Sequence, residues 1–258
     1  MCYTLKLTKE EQWRKAPWNR FDKQIRKIQE RIYDASVRND SKSVRTLQKV
    51  LVGLTSAKFI AVRRISQDNR GKRTAGVDGI ASLTPAQRID LVNELNIDGN
   101  SDSIRRVFIP KPNGRQRPVG IPTMRDRAKQ FLLLMALEPE WEARFEPNSY
   151  GFRHGRSAHE DIENIYNVIH LSPKYVLDAD ISKCMSRINH DALLRKIAQT
   201  PYRRLIKQWL KSGVFDNKQF SDTVEGTPQG GVISPLQAQT SPYMGWKRDS
   251  WNLPKPWI

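Results

Sequence analysis

Cysteine is nearly absent: the 258 residues hold two, Cys2 and Cys184, far apart and outside any paired metal-ligand spacing. A disulfide framework and a cysteine-rich zinc site are both excluded. Long apolar runs are missing too, because the densest stretch, 128–137, carries Lys129 and falls short of the ~20 residues a bilayer-spanning helix needs. No membrane partner is expected. The opening MCYTLKLTKEEQW lacks the basic, apolar and small-residue segments of a secretory leader, so a cytoplasmic location is expected. There is no P-loop, no dinucleotide glycine fingerprint and no internal repeat. Acidic residues are scarce, since 27 Asp and Glu face 44 Lys and Arg and leave a formal charge of +17. Such an excess calls for a polyanionic partner, nucleic acid first.

What is present divides unevenly. Residues 1–95 carry 20 basic and 10 acidic side chains, whereas 96–200 carry 16 and 13. Trp18, Phe21, Ile25, Ile28, Ile32 and Ala35 recur at three- and four-residue steps behind Pro17, predicting an amphipathic helix with Lys23, Arg26, Lys27 and Arg31 off its apolar stripe. A second helix is predicted after Asp40 or Ser41, with Val44, Leu47, Leu51 and Leu54 inward. The stretch 58–79 follows, dense in Lys and Arg, and its loop at 69–74 suits a phosphate backbone. Thr84 and Pro85 open a further helix to Leu95.

From Ile104 the period changes. IRRVFIP and QRPVGIP flank KPNGR as a basic β-hairpin, and Thr123 with Asp126 opens a helix to Leu137 that Glu138-Pro139 is expected to stop. KYVLDADI, 174–181, alternates as a strand with Asp178 and Asp180 on one face. Two short helices are expected at about 190–199 and 202–212. The fold class is α+β.

A strand ending in a carboxylate beside basic and glycine-rich loops is what metal-dependent phosphoryl transfer requires, because Mg²⁺ shares hard oxygen ligands with phosphates. Asp180 is the candidate ligand; an aspartate capping a strand end is the plainer reading of the same residue. Lys111 and Arg117 flank the hairpin turn, where cations can close over a triphosphate.

YGFRHGRS at 150–157 and EGTPQGGVISPL at 225–236 are more specific. With GKRTAGVDG at 71–79, RRVFIPKPNGRQRPVGIPTMRDRAKQ at 105–130 and KYVLDADISKC with RINHDALL across 174–194, the chain resembles a group II intron reverse transcriptase/maturase from about residue 13 to Leu236. The resemblance implies a helical, basic, intron-RNA-binding domain over 1–95, then the fingers and an incomplete palm of a right-hand reverse transcriptase over 96–236, with 237–258 a divergent tail. It implies nucleotidyl transfer on an RNA template and DNA primer with Mg²⁺ and deoxynucleoside triphosphates. Asp180 would be the catalytic and metal-binding carboxylate, and Lys111, Arg117, Ile181, Met185, Gln229 and Gly230 would contact the nucleotide. Lys58, Arg63, Arg64, Arg70, Lys72 and Arg73 are the expected RNA contacts. His154, His159, His170 and His190 fit no ligand or nucleophile arrangement and are read as structural.

Two departures stand out. Met185-Ser186 replaces the Phe-Asp that follows KC in the family, so the flat wall against the ribose 2′-hydroxyl is replaced by a flexible thioether. No adjacent Asp-Asp pair occurs anywhere, whereas two-metal catalysis needs carboxylates from two palm strands. The sequence reading therefore expects no polymerase activity from this polypeptide alone. It leaves three roles: a polymerase completed by a complementing C-terminal polypeptide, a non-catalytic RNA-binding module, or a degenerate remnant. It also expects an uncovered apolar face and marginal stability after Gly151.

Overall fold

The computed structural model describes residues 7–69, 73–110, 112, 114–175, 184–216, 219–227 and 230–240. A helical front end comes first: α1 (Lys9–Arg14), α2 (Trp18–Val37), α3 (Ser41–Gly53), α4 (Thr55–Arg63) running into a π turn (Arg64–Asp68), and α5 (Pro85–Glu94). On α2 the predicted stripe faces inward, with Ile25, Ile32 and Ala35 buried, Trp18 and Ile28 packed against the same core, and Lys23, Arg26, Lys27 and Arg31 exposed. Asp40 caps α3 by accepting from the Ser43 amide at 3.0 Å. Thr84 and Gln87 close a capping box on α5, and Pro85 sits at its first position. These are the stops and starts the sequence predicts.

The hairpin follows as β1 (Ile104–Pro110) and β2 (Gln116–Ile121), antiparallel, with Pro110 opposite Gln116 at the closed end. A second hairpin, β3 (Val214–Asp216) and β4 (Gln219–Ser221), adds to it with β3 parallel to β1, giving the order β2-β1-β3-β4. Strands this short carry no readable alternation, and the sequence reading misses them. Between the hairpins lie α6 (Met124–Glu142), α7 (Ala158–Ile169), a 3₁₀ turn (Cys184–Ser186), α8 (His190–Lys196) and α9 (Arg203–Leu210), and α10 (Ser234–Thr240) comes last. α10 crosses the domain boundary expected after Leu236.

α6 is the spine. Ala128, Leu132 and Ala136 enter one apolar core with α2 to α5, while Leu133, Leu137 and Trp141 enter a second with α8, α9 and α10. Burying a side chain such as Leu132 or Leu133 contributes roughly 1.5–3 kcal/mol. The helix does not stop at Pro139 as expected, but continues to Glu142. Proline removes the N–H that the Met135 carbonyl would accept from, and the Gln29 side-chain amide donates to that carbonyl instead, at 2.9 Å. A partner from α2 thus replaces the lost helical bond.

The first turn of α6 is a polar knot. The Asp126 carboxylate is buried and accepts from the Asp102 amide at 2.7 Å and from Trp209 Nε1 at 3.4 Å. Lys129 Nζ, also buried, donates to Asp98 at 2.8 Å and to the Asn100 carbonyl at 3.0 Å. The Lys129 ammonium holds Asp98 down at a pKa of about 2. Burial pushes Asp126 up to about 6, with the neighbouring Asp102 charge adding to the shift.

The strand expected at 174–181, with Asp178 and Asp180, lies outside the described residues apart from Lys174 and Tyr175. α7 buries none of its side chains, and Ile162, Ile165, Tyr166 and Ile169 are exposed along it.

Asp126 is therefore expected to make stability pH-dependent in a defined window. Its folded pKa of about 6 lies above the unfolded value near 3.8, so the folded state binds the proton more tightly. Stability from this group is highest below pH 4 and falls by up to roughly 3 kcal/mol as pH rises to 6. Denaturant titrations at intervals from pH 4 to 7 should show this slope, and Asp126→Asn should remove it.

Candidate functional site

Three stretches far apart in sequence meet at one cleft. The Gly226 amide donates to the Ile188 carbonyl at 2.9 Å, and the Thr227 amide to the Met185 carbonyl at 2.7 Å. His190 Nε2–H donates to the Gly226 carbonyl at 2.7 Å, fixing that turn to the start of α8. Thr227 Oγ1 donates to Gln237 Oε1 at 2.7 Å, and the Val232 amide donates to Gln130 Oε1 on α6 at 2.8 Å. Gly226 and Thr227 on one side and Val232 on the other, the described ends of the 226–232 segment, are thus held from α6, α8 and α10.

Glycine is required where this segment touches its neighbours. Gly230 sits at φ +110°, and a Cβ there would lie 2.8 Å from both the Gly120 carbonyl oxygen and Val119 Cγ1 of β2. Gly226, at φ +82°, would place a Cβ 2.7 Å from the Ser186 carbonyl oxygen. Between the two hairpins and this segment is a cleft of about 290 Å³, lined by Arg106, Phe108, Val119, Gly120, Ser186 and Thr227 among others. Arg106 and Glu225 set opposite charges in this cleft beside apolar Phe108 and Val119, which suits a ligand with a polar end and a flat body.

Of the residues assigned to the nucleotide, Met185 is half-buried against the second core with its carbonyl tied to Thr227, and Gly230 abuts β2. Arg117 is exposed on β2, opposite Ile109 and two residues along the strand from Val119. Lys111, Asp180, Ile181 and Gln229 lie outside the described residues, as do Arg70 and Lys72 of the RNA set. The remaining basic candidates do not share one environment. Lys58 donates to Asn96 Oδ1 at 3.2 Å, Arg63 lies over the Trp18 ring at 4.6 Å, and Arg64 and Arg73 are exposed. The sequence reading overlooked Arg106, Gln130 and Thr227. All three stand inside stretches quoted for the resemblance, Arg106 and Gln130 in 105–130 and Thr227 in EGTPQGG, but none is singled out there as a contact. Among the described residues no three His, Cys, Asp or Glu side chains group to hold a metal ion.

The N-terminal domain of reverse transcriptase matches residues 13–95, and reverse transcriptase (RNA-dependent DNA polymerase) matches residues 109–242, about half the chain. The helical front end and the hairpin with its cleft are thus the front and the polymerase portion of one protein class. Protein YkfC of Escherichia coli is 35% identical over 205 residues, which are 74% of this chain and 54% of that protein. Group II intron-encoded protein LtrA of Lactococcus lactis is 34% identical over 178 residues, 66% of this chain and 30% of that protein. Maturase-like protein 1 of Euglena gracilis is 29% identical over 187 residues, 70% of this chain and 41% of that protein. The chain belongs to the reverse transcriptase family, in its group II intron-encoded reverse transcriptase/maturase branch. It spans about half the length of the first of these relatives and less of the other two.

Gly230→Ala should force the 226–232 segment off β2. The expected outcome is a loss of roughly 1–3 kcal/mol of stability in a denaturant melt, together with loss of amide protection at Val119 and Gly120 by hydrogen exchange.

Proposed function

We propose that this chain is the RNA-gripping front and the nucleotide-side wall of a group II intron-type RNA-directed DNA polymerase/maturase. The observation that carries the reading is the coincidence of the reverse transcriptase N-terminal match, 13–95, with the third of the chain that holds 20 basic and 10 acidic side chains. Two relatives are named for group II introns or maturases, and intron RNA is accordingly the proposed partner. Arg64 and Arg73, exposed, with Lys58, Arg63, Arg70 and Lys72, are assigned to RNA.

In the polymerase portion, Lys111 and Arg117 are assigned to the triphosphate, Ile181 and Gln229 to the nucleotide, and Gly230 to the close approach of backbone and base. Met185 stands at the sugar, where a flexible side chain should discriminate weakly against ribose. The family's chemistry is divalent-metal-dependent nucleotidyl transfer, with Mg²⁺ the proposed ion and Asp180 its proposed ligand. Acidic ligands from a second strand would have to complete the ion pair, and no Asp-Asp pair occurs in residues 1–258. Polymerisation on an RNA template and DNA primer is assigned to residues 1–258 joined by the acidic ligands of a second palm strand, whether in the same polypeptide or in a complementing C-terminal one, and RNA binding to residues 1–258 themselves.

The test is titration of the purified chain with intron RNA at several salt concentrations. The logarithm of affinity should fall linearly with the logarithm of salt. Changing Lys58, Arg64 and Arg73 together to Gln should reduce that slope by about 2 to 3. The same change at Arg204, Lys207 and Lys211 should leave it nearly unaltered. Binding indifferent to salt, or equal losses from both triple variants, would count against the reading.

A further inference from the structure

The helical front end holds a second cleft, of about 380 Å³, on which three arginines converge: Arg14 from α1, Arg63 from α4 and Arg88 from α5. Two of them are braced on indole faces. The Arg63 guanidinium lies 4.6 Å from the Trp18 ring centre and that of Arg88 lies 5.4 Å from Trp13. The indoles are themselves fixed, at 5.0 Å from each other and each packed on Phe59. Gln67 Oε1 accepts from both Trp13 Nε1, at 3.3 Å, and Arg88 Nη1, at 3.1 Å, so it aligns ring and guanidinium together.

Helix packing alone does not account for this arrangement. Among the described residues, the buried Nε of Arg88 has no hydrogen-bond partner, and an unpaired buried donor is unfavourable until an acceptor reaches it. Asp68 meets Arg63 at 3.4 Å and its charge also reaches Arg88, so one carboxylate faces two guanidinium groups, and no acidic side chain lines the cleft itself among the described residues. Pro85, the first residue of α5, closes one side, and the first turn of that helix carries no acid. Three planar cations around a cleft with one nearby carboxylate leave a positive excess that matches phosphate oxygens, which guanidinium groups bind through paired N–H bonds.

We infer that the cleft between α1, α4 and α5 is a phosphodiester subsite, in which Arg14, Arg63 and Arg88 clasp the backbone of a single RNA strand. The inference rests on the proposal that the front end binds RNA and names where one strand is held. The indole faces are covered by guanidinium groups, so the subsite grips backbone rather than stacking bases, and it is indifferent to sequence.

The test measures binding of a labelled single-stranded RNA to the full chain, with far-UV circular dichroism as the folding control. Arg63→Lys with Arg88→Lys keeps the charge and loses the braced planar fork; roughly tenfold weaker binding is expected. Arg63→Gln with Arg88→Gln should also lower the log–log salt slope by about 1.4, the value for two phosphates on a single strand. Arg14 is exposed and braces nothing, so Arg14→Gln keeps the test open if the double variants unfold, and should lower the slope by about 0.7. A parent chain that binds no RNA would overturn the functional proposal itself. A parent that binds while folded variants keep its affinity and slope would overturn the subsite alone. Displacement of RNA by inorganic phosphate at matched ionic strength would show a small-anion site and overturn the backbone assignment.

Discussion

A helix that buries 13 of its 19 residues must satisfy the polar side chains among them, and that constraint organises this protein around α6. Asp126, Arg127, Lys129, Gln130 and Glu140 are all buried on it. Each reaches a different part of the chain. Asp126 takes the Asp102 amide, Arg127 donates to the Pro122 and Thr74 carbonyls, Lys129 holds Asp98, Gln130 takes the Val232 amide, and Glu140 takes the Gln48 side chain. Leaving any one of these unpaired would cost about 1–3 kcal/mol, and more where the group is charged. The loops that approach α6 are thereby tied to it at fixed points.

The functional geometry follows from those ties. The 73–79 loop, the start of the β1–β2 hairpin and the 226–232 segment are parts of the chain with little regular structure of their own, yet all bond to α6 or to the residues just before it. The same helix divides the apolar interior, with Leu132 on the basic front-end side and Leu133 on the side of α8 to α10. The basic front end and the cleft between the hairpins are in this way attached to two different faces of one element. Arginine appears in two different roles. Arg127 and Arg153 are buried clamps on carbonyls and a carboxylate, whereas Arg14, Arg63 and Arg88 turn toward a cleft.

Much of this was legible in the residues. The apolar stripe of α2, the Asp40 and Thr84 caps and the extents of β1 and β2 follow local rules of period and capping, and the structure has them where those rules put them. What failed to show depended on distant partners. Pro139 reads as a stop because the glutamine that replaces its missing N–H is on α2, over a hundred residues away. β3 and β4 are three residues each, and pairing with β1 rather than their own pattern makes them strands. In the site, Gly230 and Met185 are legible through motif resemblance, and Gln130, though it closes the quoted stretch 105–130, is not, because a buried glutamine on a helix shows no role until its side-chain carbonyl is matched to a particular amide.

The dependence of the cleft on α6 can be read at a single amide. In Gln130→Leu, hydrogen exchange at Val232 should accelerate towards the rate of an unprotected loop, because its N–H loses its acceptor, while Trp209 and Leu210 in the last turn of α9 keep the protection of the intact protein. Unchanged exchange at Val232 would contradict the account, since the segment would then be held in place without the helix.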